Sequence, residues 1–398
     1  MISMAMLHDA QRVLKPVINR TPVIQTKGIV PGCDFYLKAD CLQKTGAFKL
    51  RGAYYKIATL SDEEKERGVI ACSAGNHAQG VAFAASRIGV PATIVMPRST
   101  PIAKVSATKG YGAKVVLHGA IYDEAYAKAC EIVEAEGAEL IHPFDDEDVI
   151  AGQGTIALEI LSDLPFVDMV LVPAGGGGLV AGIAACIKQI NPRIQVIGVQ
   201  AAGAPAIVHS FGKETIQPSA SVHTIADGIA VKNPGQTTMQ YINQYVDQMV
   251  TVTDAEIAEA ILLLLERTKQ VVEPAGATPL AAVLHNKVDI RGKKVCCVLS
   301  GGNIDVSFIH KVVEKGLITR CRQLKISTVM PDIPGALERF AHLVAAENAN
   351  IILVQHDRIK ADLDIGDAIL HVVCEVSGKE HGQRLLDTLR REGYQILD

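Results

Sequence analysis

The stretch Pro173-Ala-Gly-Gly-Gly-Gly-Leu179 follows an apolar run at 169–173 and precedes a helical pattern at 180–189. Four consecutive glycines let backbone N–H groups converge on an anion, and the start of a helix adds partial positive charge. A buried strand that turns into a helix is typical of parallel α/β sheets, in which ligands bind at the carboxyl ends of the strands. The sequence therefore predicts an α/β fold with a phosphate-binding turn, although a flexible or tightly packed loop is the alternative.

The same alternation extends from about residue 50 to residue 320. Continuous apolar runs that lead into helical stretches indicate parallel sheets covered on both faces. The predicted strands are 69–73, 92–96, 114–117, 169–173, 195–200 and 294–299, and the clearest helices are 122–136 and 254–270. After residue 322 the predicted order is strand 323–330, helix 334–348, strands 351–358 and 368–376, helix 379–393 and strand 394–397. That β-α-β-β-α-β order predicts a ferredoxin-like α+β domain at the end of the chain.

Composition excludes several classes of function. The chain has 398 residues, a formal net charge of −4, 48% hydrophobic residues and 4% aromatic residues, so extensive disorder and nucleic-acid binding are not expected. Nine cysteines without a zinc-type spacing indicate reduced thiols. Neither a signal peptide nor a membrane span is recognisable, and a cytoplasmic protein is expected.

The glycine turn indicates a small phosphorylated cofactor better than a dinucleotide. Gly176, Gly178 and Ala181 formally match the GxGxxG/A pattern of dinucleotide-binding proteins. That pattern also requires an acidic residue at the end of the next strand, to bind the ribose. The predicted strand 195–200 ends in Gln200, and no acidic residue lies between Pro192 and Pro205.

Lys49 is a candidate nucleophile. It lies in Thr45-Gly-Ala-Phe-Lys-Leu-Arg-Gly-Ala53, where Thr45 is expected to cap a helix and place Lys49 about one turn inside. Most lysines are solvated surface charges, and a surface position is the alternative for this one. Phe48 and the small residues around it favour a semi-buried amine, whose pKa falls and whose nucleophilicity rises.

Two further turns follow predicted buried strands. Ser73-Ala-Gly-Asn-His-Ala-Gln-Gly80 opens a helix, and its N–H groups suit a substrate carboxylate, while Asn76 offers an amide to a neighbouring oxygen. His77 is either a proton-transfer group or, more often for a histidine at a helix start, a structural residue. Leu299-Ser-Gly-Gly-Asn303 presents Ser300 as a neutral hydrogen-bonding group.

These motifs, in this order, resemble the fold type II pyridoxal-phosphate enzymes, and within them the threonine dehydratases. The resemblance covers roughly residues 10–320. It implies a catalytic domain at 1–320, in which a smaller subdomain at about 52–148 is inserted in a larger one. The tail at 322–398, with Asp332-Ile-Pro-Gly-Ala-Leu337, resembles an ACT domain, a regulatory module that binds small molecules.

The resemblance implies a role for each motif around the cofactor pyridoxal 5'-phosphate. Lys49 would bind the cofactor as a Schiff base and then act as the catalytic base, with Phe48 packed beside the ring. Asn76 would bond the ring oxygen, and Ser300 would face the pyridine nitrogen. The phosphate would bind Gly175, Gly176, Gly177, Gly178 and Leu179, and the substrate carboxylate would bind Ser73, Ala74, Gly75, Asn76 and His77.

The predicted reaction is the deamination of L-threonine to 2-oxobutanoate and ammonia, with L-serine as a secondary substrate. The alternatives are an L-serine dehydratase or serine racemase of the same fold, or a non-catalytic amino-acid sensor. Similar racemases carry a second serine where Ala74 stands, and they bind a divalent metal through acids where Gln200 and Ala206 stand. We therefore expect little racemisation and no metal site. We also expect a homodimer or homotetramer, and isoleucine or valine as an effector at the ACT-like domain.

Overall fold

The computed structural model describes residues 1–358 and 364–397, and the chain divides into two compact units, Met1–Ile304 and Asp305–Asp398. The predicted C-terminal domain at 322–398 includes residues 359–363 and 398, which lie outside the described residues. Across the described ranges, every helix is too short or too polar to cross a membrane.

The first unit alternates strands and helices along most of its length. Its strands are β1 (Val23–Thr26), β2 (Asp34–Lys38), β3 (Val69–Cys72), β4 (Ala92–Met96), β5 (Lys114–Leu117), β6 (Glu139–Leu140), β7 (Met169–Pro173), β8 (Gln195–Ala201), β9 (Gln248–Val252) and β10 (Lys294–Val298). Its helices are α1 (Met4–Leu14), α2 (Lys49–Thr59), α3 (Asp62–Arg67), α4 (Asn76–Ile88), α5 (Ile102–Gly110), α6 (Tyr122–Glu136), α7 (Glu147–Asp163), α8 (Gly178–Ile190), α9 (Ala206–Ser210), α10 (Gln236–Tyr245), α11 (Asp254–Thr268) and α12 (Pro274–Leu284).

Two sheets organise this unit. The larger has the strand order β1-β2-β10-β7-β8-β9, and every neighbouring pair in it is parallel except β1 with β2. The smaller has the order β5-β4-β3-β6, and all its pairs are parallel. The predicted α/β class with parallel sheets is confirmed. The carboxyl ends of β3, β7 and β10 carry three of the turns that the sequence singled out, so these three turns lie where such folds bind ligands.

The sequence did not predict β1, β2, β6 or β9. β6 has two residues, and β1 and β9 are short strands that each contain a glutamine and a threonine. β2 begins with Asp34 and ends with Lys38, a charged residue that is fully buried. A lysine is rarely buried without a partner, so only the tertiary contacts explain this strand.

The second unit contains α13 (Val306–Thr319), β11 (Gln323–Pro331), α14 (Ala336–Ala346), β12 (Asn350–Asp357), β13 (Asp367–Glu375), α15 (Lys379–Arg391) and β14 (Gln395–Leu397). Its strands form an antiparallel sheet in the order β12-β13-β11-β14. The β-α-β-β-α-β order over β11–β14 confirms the ferredoxin-like prediction. The edge strand β12 exposes Ile352, Leu353 and Val354 at 49%, 55% and 41% of their surface.

Helix α2 is anchored closely on α7. A Cβ atom on Gly152 of α7 would lie 2.6 Å from the Cα atom of Gly52 on α2, so the two backbones could not approach this closely with side chains at that point. Gly52 is three residues after Lys49. The crossing therefore fixes the start of α2, and with it the backbone of the candidate nucleophile.

A buried set of charged groups also holds α2, and one of its members, Glu159, lies on α7 as well. We call it the Arg51 network; it consists of Lys38, Asp40, Arg51 and Glu159. Arg51 donates from Nε and Nη2 to the two oxygens of Asp40, at 2.8 Å each, and from Nη1 to Glu159 Oε1 at 2.7 Å. Lys38 Nζ donates to Glu159 Oε2 at 2.5 Å and to the Thr21 carbonyl at 2.6 Å. Two cations thus meet two anions, with every partner hydrogen-bonded.

Candidate active site

Lys49 is the first residue of α2, and its side chain is partly buried. Its Nζ donates to the Pro143 carbonyl at 2.5 Å and lies 5.2 Å from the centroid of the Phe48 ring. Burial lowers the pKa of Lys49 to about 8, against the opposing charge of Glu273. A larger share of the amine is therefore uncharged near neutral pH than in an ordinary lysine, which favours nucleophilic and base chemistry.

The start of α2 corrects the expected cap. Phe48, and not Thr45, precedes the first helical residue, and among the described residues it makes no side-chain capping bond. Thr45 Oγ1 donates to the Ala47 carbonyl at 3.4 Å, and Phe48 N donates to the Ser300 carbonyl at 2.9 Å. Residues before Lys49 pair with the turn after β10 in place of a helical cap. This pairing places Lys49 close to Ser300.

The four-glycine turn has backbone donors available for an anion. Within the described part of the chain, the N–H groups of Gly175–Leu179 donate no hydrogen bond to protein. Gly177 has φ +103°, a conformation that favours glycine, and α8 begins at the next residue. Free N–H groups at the start of a long helix fit an anionic phosphate.

A segment that the sequence analysis overlooked packs against this turn. A side chain on Gly176 would overlap the Phe144 ring, and a Cβ on Gly178 would lie 2.9 Å from the Phe144 carbonyl oxygen. Asp145 accepts from Thr238 N at 2.9 Å, and Thr238 Oγ1 donates to the Gly176 carbonyl at 2.7 Å. The glycines are thus required partly by close packing, which was the alternative interpretation of the motif.

The loop after β3 has an open side and a buried side. Ser73, Ala74, Gly75 and Asn76 are partly exposed, whereas His77 is 3% exposed and its Nε2 lies 2.8 Å from the Ile141 carbonyl. Burial, with the nearby charge of Lys49, lowers the pKa of His77 to about 3. A ring that stays neutral across the physiological range is a poor proton carrier, and the structural interpretation of its side chain fits this environment.

Glu273 is the main residue of this region that the sequence analysis missed. It immediately precedes α12, is 5% exposed, and its backbone N donates to the Gly301 carbonyl at 3.0 Å. Asn76 Nδ2 donates to Glu273 Oε1 at 2.8 Å. Burial raises the pKa of Glu273 to about 7, although the bond from Asn76 acts in the other direction. Only the sequence pair Glu-Pro at a helix start could have drawn attention to it.

The structure brings the predicted segments together around Lys49. A Cβ on Gly80 of α4 would lie 3.1 Å from the Lys49 carbonyl carbon, so the loop 73–77 opens a helix that packs directly on α2. Pro143 contacts the amine, and Phe144 contacts Gly176, so one short segment joins Lys49 to the glycine turn. A ligand that spans these groups would be held from three strand ends.

Gln200 and Ala206, on which the expected absence of a metal site rests, are both buried. Gln200 is fully buried, and its Oε1 accepts a hydrogen bond from Val208 N at 2.8 Å. Among the described residues, no group of three or more His, Cys, Asp or Glu side chains could hold a metal ion. The expected absence of a metal site stays a prediction.

Comparison with known proteins identifies the class. The family model described as "Pyridoxal-phosphate dependent enzyme" matches residues 14–301, and the chain belongs to this family. The predicted resemblance and its cofactor are thereby confirmed. An L-threonine ammonia-lyase of Thermotoga maritima is 48% identical over 398 residues, which is 100% of this chain and 99% of that relative.

Two solved structures are similar to most of this chain. Threonine deaminase isoform 2 of Solanum lycopersicum is 38% identical with a TM-score of 0.74, over 78% of this chain and 87% of its own. A maize serine racemase is 36% identical with a TM-score of 0.75, over 80% of this chain and 98% of its own.

Proposed function

We propose that this protein is an L-threonine ammonia-lyase, which converts L-threonine to 2-oxobutanoate and ammonia and accepts L-serine as a secondary substrate. The observation that carries the proposal is the amine of Lys49, which has a lowered pKa and lies beside a glycine turn with free N–H groups. The full-length relative from Thermotoga maritima, 48% identical, supports the choice of substrate.

The residues present fit pyridoxal phosphate. Lys49 would bind it covalently, and the N–H groups of Gly175–Leu179 would hold its phosphate. Asn76 would donate to the ring oxygen, Ser300 would face the pyridine nitrogen, and Phe48 would pack beside the ring. Three observations support this assignment. The N–H groups of the glycine turn are free, and Asn76 is partly exposed. Ser300 is 2% exposed, and its carbonyl accepts a hydrogen bond from Phe48 N.

The proposed reaction assigns a task to each protein group. The bound cofactor supplies a sink for the electrons that remain on the substrate when a proton leaves Cα. Lys49 Nζ removes that proton, and the loop 73–77 holds the carboxylate so that Cα faces the amine. Ser300 is a neutral group, so it does not hold a proton on the pyridine nitrogen. We infer that this disfavours long-lived negative charge on Cα and favours prompt loss of the β-hydroxyl group.

The activity is tested by measuring the ratio of the two products. Purified protein supplied with pyridoxal phosphate should release 2-oxobutanoate and ammonia from L-threonine in equal amounts, and pyruvate and ammonia more slowly from L-serine. A visible absorption band of the bound cofactor should accompany this activity. A colourless protein that binds amino acids without releasing ammonia would instead support the non-catalytic sensor.

Ala74 distinguishes the lyase from a racemase. A methyl group cannot exchange a proton, so the face of the substrate opposite Lys49 has no acid from this position. Incubation with L-serine should yield pyruvate and no accumulating D-serine on a chiral column, with or without EDTA. D-serine at levels similar to pyruvate would favour the racemase, the alternative that the maize relative represents.

We further propose a cytoplasmic homodimer or homotetramer whose C-terminal domain at 322–398 binds isoleucine or valine. The catalytic domain at 1–320, with its smaller subdomain at 52–148, would respond to that effector. Support comes from the exposed apolar residues of β12, since a sheet edge of this kind favours pairing. Light scattering should give a particle mass that is a multiple of the chain mass of 42.4 kDa, and the substitution Leu353→Lys should lower that mass. In activity assays, isoleucine or valine should shift the curve of rate against threonine concentration. Identical curves would leave the domain with a structural role.

A further inference from the structure

A chain of hydrogen bonds holds the amide of Asn76 at both ends. Its Nδ2 donates to Glu273 Oε1 at 2.8 Å, and its Oδ1 accepts from Asn303 Nδ2 at 2.8 Å. Asn303 Nδ2 also donates to the Thr45 carbonyl at 2.7 Å. Asn76 follows β3 of the smaller sheet. Thr45 follows β2 and Asn303 follows β10, which are both strands of the larger sheet, and Glu273 precedes α12, which packs against that sheet. The chain of bonds therefore crosses between the two sheets of the first unit.

The order of donors and acceptors gives this chain one direction. Both hydrogens of Asn303 Nδ2 are used, because the Thr45 carbonyl and Asn76 Oδ1 can only accept. If the Asn76 amide turned over, its Oδ1 would face the Glu273 carboxylate and its Nδ2 would face the Asn303 donor. Two donors would then meet at the Asn303 end, and two acceptors would meet at the other end whenever Glu273 is ionised. The backbone carbonyl of Thr45, four residues before Lys49, thus determines which way the Asn76 amide points.

The position of Glu273 depends on glycine at its neighbour. A side chain on Gly301 would overlap Glu273 Oε1, so the carboxylate lies directly over the turn that follows β10. Glu273 N is bonded to the same residue, at 3.0 Å from the Gly301 carbonyl oxygen. A carboxylate that is 5% exposed and fixed at both its backbone and its side chain is well suited to orient a partner.

We propose that Glu273 and Asn303 are positioning residues that fix the Asn76 amide, so that the second hydrogen of Nδ2 is held as a donor to the cofactor's ring oxygen. The proposal rests on the proposed function, because the cofactor contact of Asn76 is part of it. One hydrogen of Nδ2 is used by Glu273, and the second is the one that remains. A turned-over amide would present an oxygen to an oxygen, and cofactor binding would weaken.

The experiment measures cofactor binding by apoenzyme variants, in absorbance titrations that need no substrate. Glu273→Leu removes the acceptor and should weaken pyridoxal-phosphate binding by about tenfold or more, with a shifted visible band. Glu273→Gln keeps an acceptor oxygen for Asn76 and should restore most of the affinity and the band. Asn303→Asp replaces the donor with an acceptor, and should weaken binding to a similar extent. Asn303 is exposed, so this variant should fold.

Glu256→Gln is the matched control, because Glu256 also accepts at a helix start, from Thr253 N at 2.7 Å, but lies in the capping box of α11. It should leave the cofactor band unchanged. Wild-type affinity and spectrum in both Glu273→Leu and Asn303→Asp would overturn the proposal, as would equal losses in Glu273→Leu and Glu273→Gln. If Glu273→Leu fails to fold, Asn303→Asp decides alone. A wild type that binds the cofactor but does not deaminate threonine contradicts the proposed function and leaves this test intact.

Discussion

Lys49 and Arg51 lie two residues apart on the same helix, but their surroundings differ. Those of Lys49 favour its neutral form, whereas those of Arg51 favour its charged form. Arg51 contacts two carboxylates, and although burial acts against its charge, Asp40 and Glu159 raise the pKa of Arg51 above its usual value. Burial also opposes the charge of Asp40, yet Arg51 lowers the pKa of that carboxyl group. Arg51 and Asp40 therefore each favour the charged form of the other.

The site around Lys49 has cations and anions that are not matched in this way. Burial lowers the pKa of Lys49 to about 8 and raises the pKa of Glu273 to about 7. Lys49 Nζ has a carbonyl as its hydrogen-bond partner, and Glu273 has an amide. Burial with ionic partners preserves charge and rigidity, whereas burial without them moves groups toward neutrality and reactivity. The first turn of α2 thus carries both Arg51, which anchors the helix, and Lys49, the candidate nucleophile.

Lys49→Ala should have the largest effect. Loss of the amine removes both the covalent contact to the cofactor and the proposed base, so ammonia release should fall by about a thousandfold or more, and the visible band should disappear. Because burial disfavours the charged amine, the apo variant should also be no less stable than the wild type in urea unfolding. Substantial turnover by this variant would refute the assignment.

Arg51→Met should show the opposite pattern. It leaves Asp40 and Glu159 buried without their main partner, so the free energy of unfolding should fall by about 3–5 kcal/mol. Arg12→Met is the control, because Arg12 pairs with Asp9 at the surface and 75% of its side chain is exposed. Removing this ion pair should change the free energy of unfolding by a barely measurable amount. If Arg51→Met and Arg12→Met unfold at the same urea concentration, the Arg51 network does not anchor α2.

The pH dependence of cofactor capture should give the smallest effect and the sharpest test of Lys49. Only the uncharged amine attacks the cofactor aldehyde, so with a pKa of about 8 the capture rate of the apoenzyme should rise about tenfold from pH 7 to pH 9 and then level off. An ordinary lysine side-chain amine, such as that of Nα-acetyl-lysine measured in parallel, should continue to gain rate beyond pH 10. A protein curve that follows the free amine would mean that burial does not tune Lys49.

Much of the candidate site could be proposed before the fold was known, because it lies in short segments at strand ends. The four glycines, the 73–77 loop and the Ser300 turn each carry their own local signal. The boundaries of β4, β5 and β7 are the predicted ones, since continuous apolar runs between turn residues mark buried strands. The cap at Thr45 was wrong because pairing with the turn after β10 took precedence over a local helix start.

The residues that complete the site could not be predicted in this way. Glu273 is 197 residues from Asn76 along the chain, and Phe144 reaches Gly176 only because α7 and α8 pack together. The burial of Lys38 and Arg51 is likewise a property of contacts between β2, α2 and α7. Apolar periodicity, glycine turns and residue order are local, so the sequence by itself determined the class of fold and singled out Lys49 as the candidate nucleophile. Which buried charges are paired depends on distances between remote segments, and only the tertiary structure decided that.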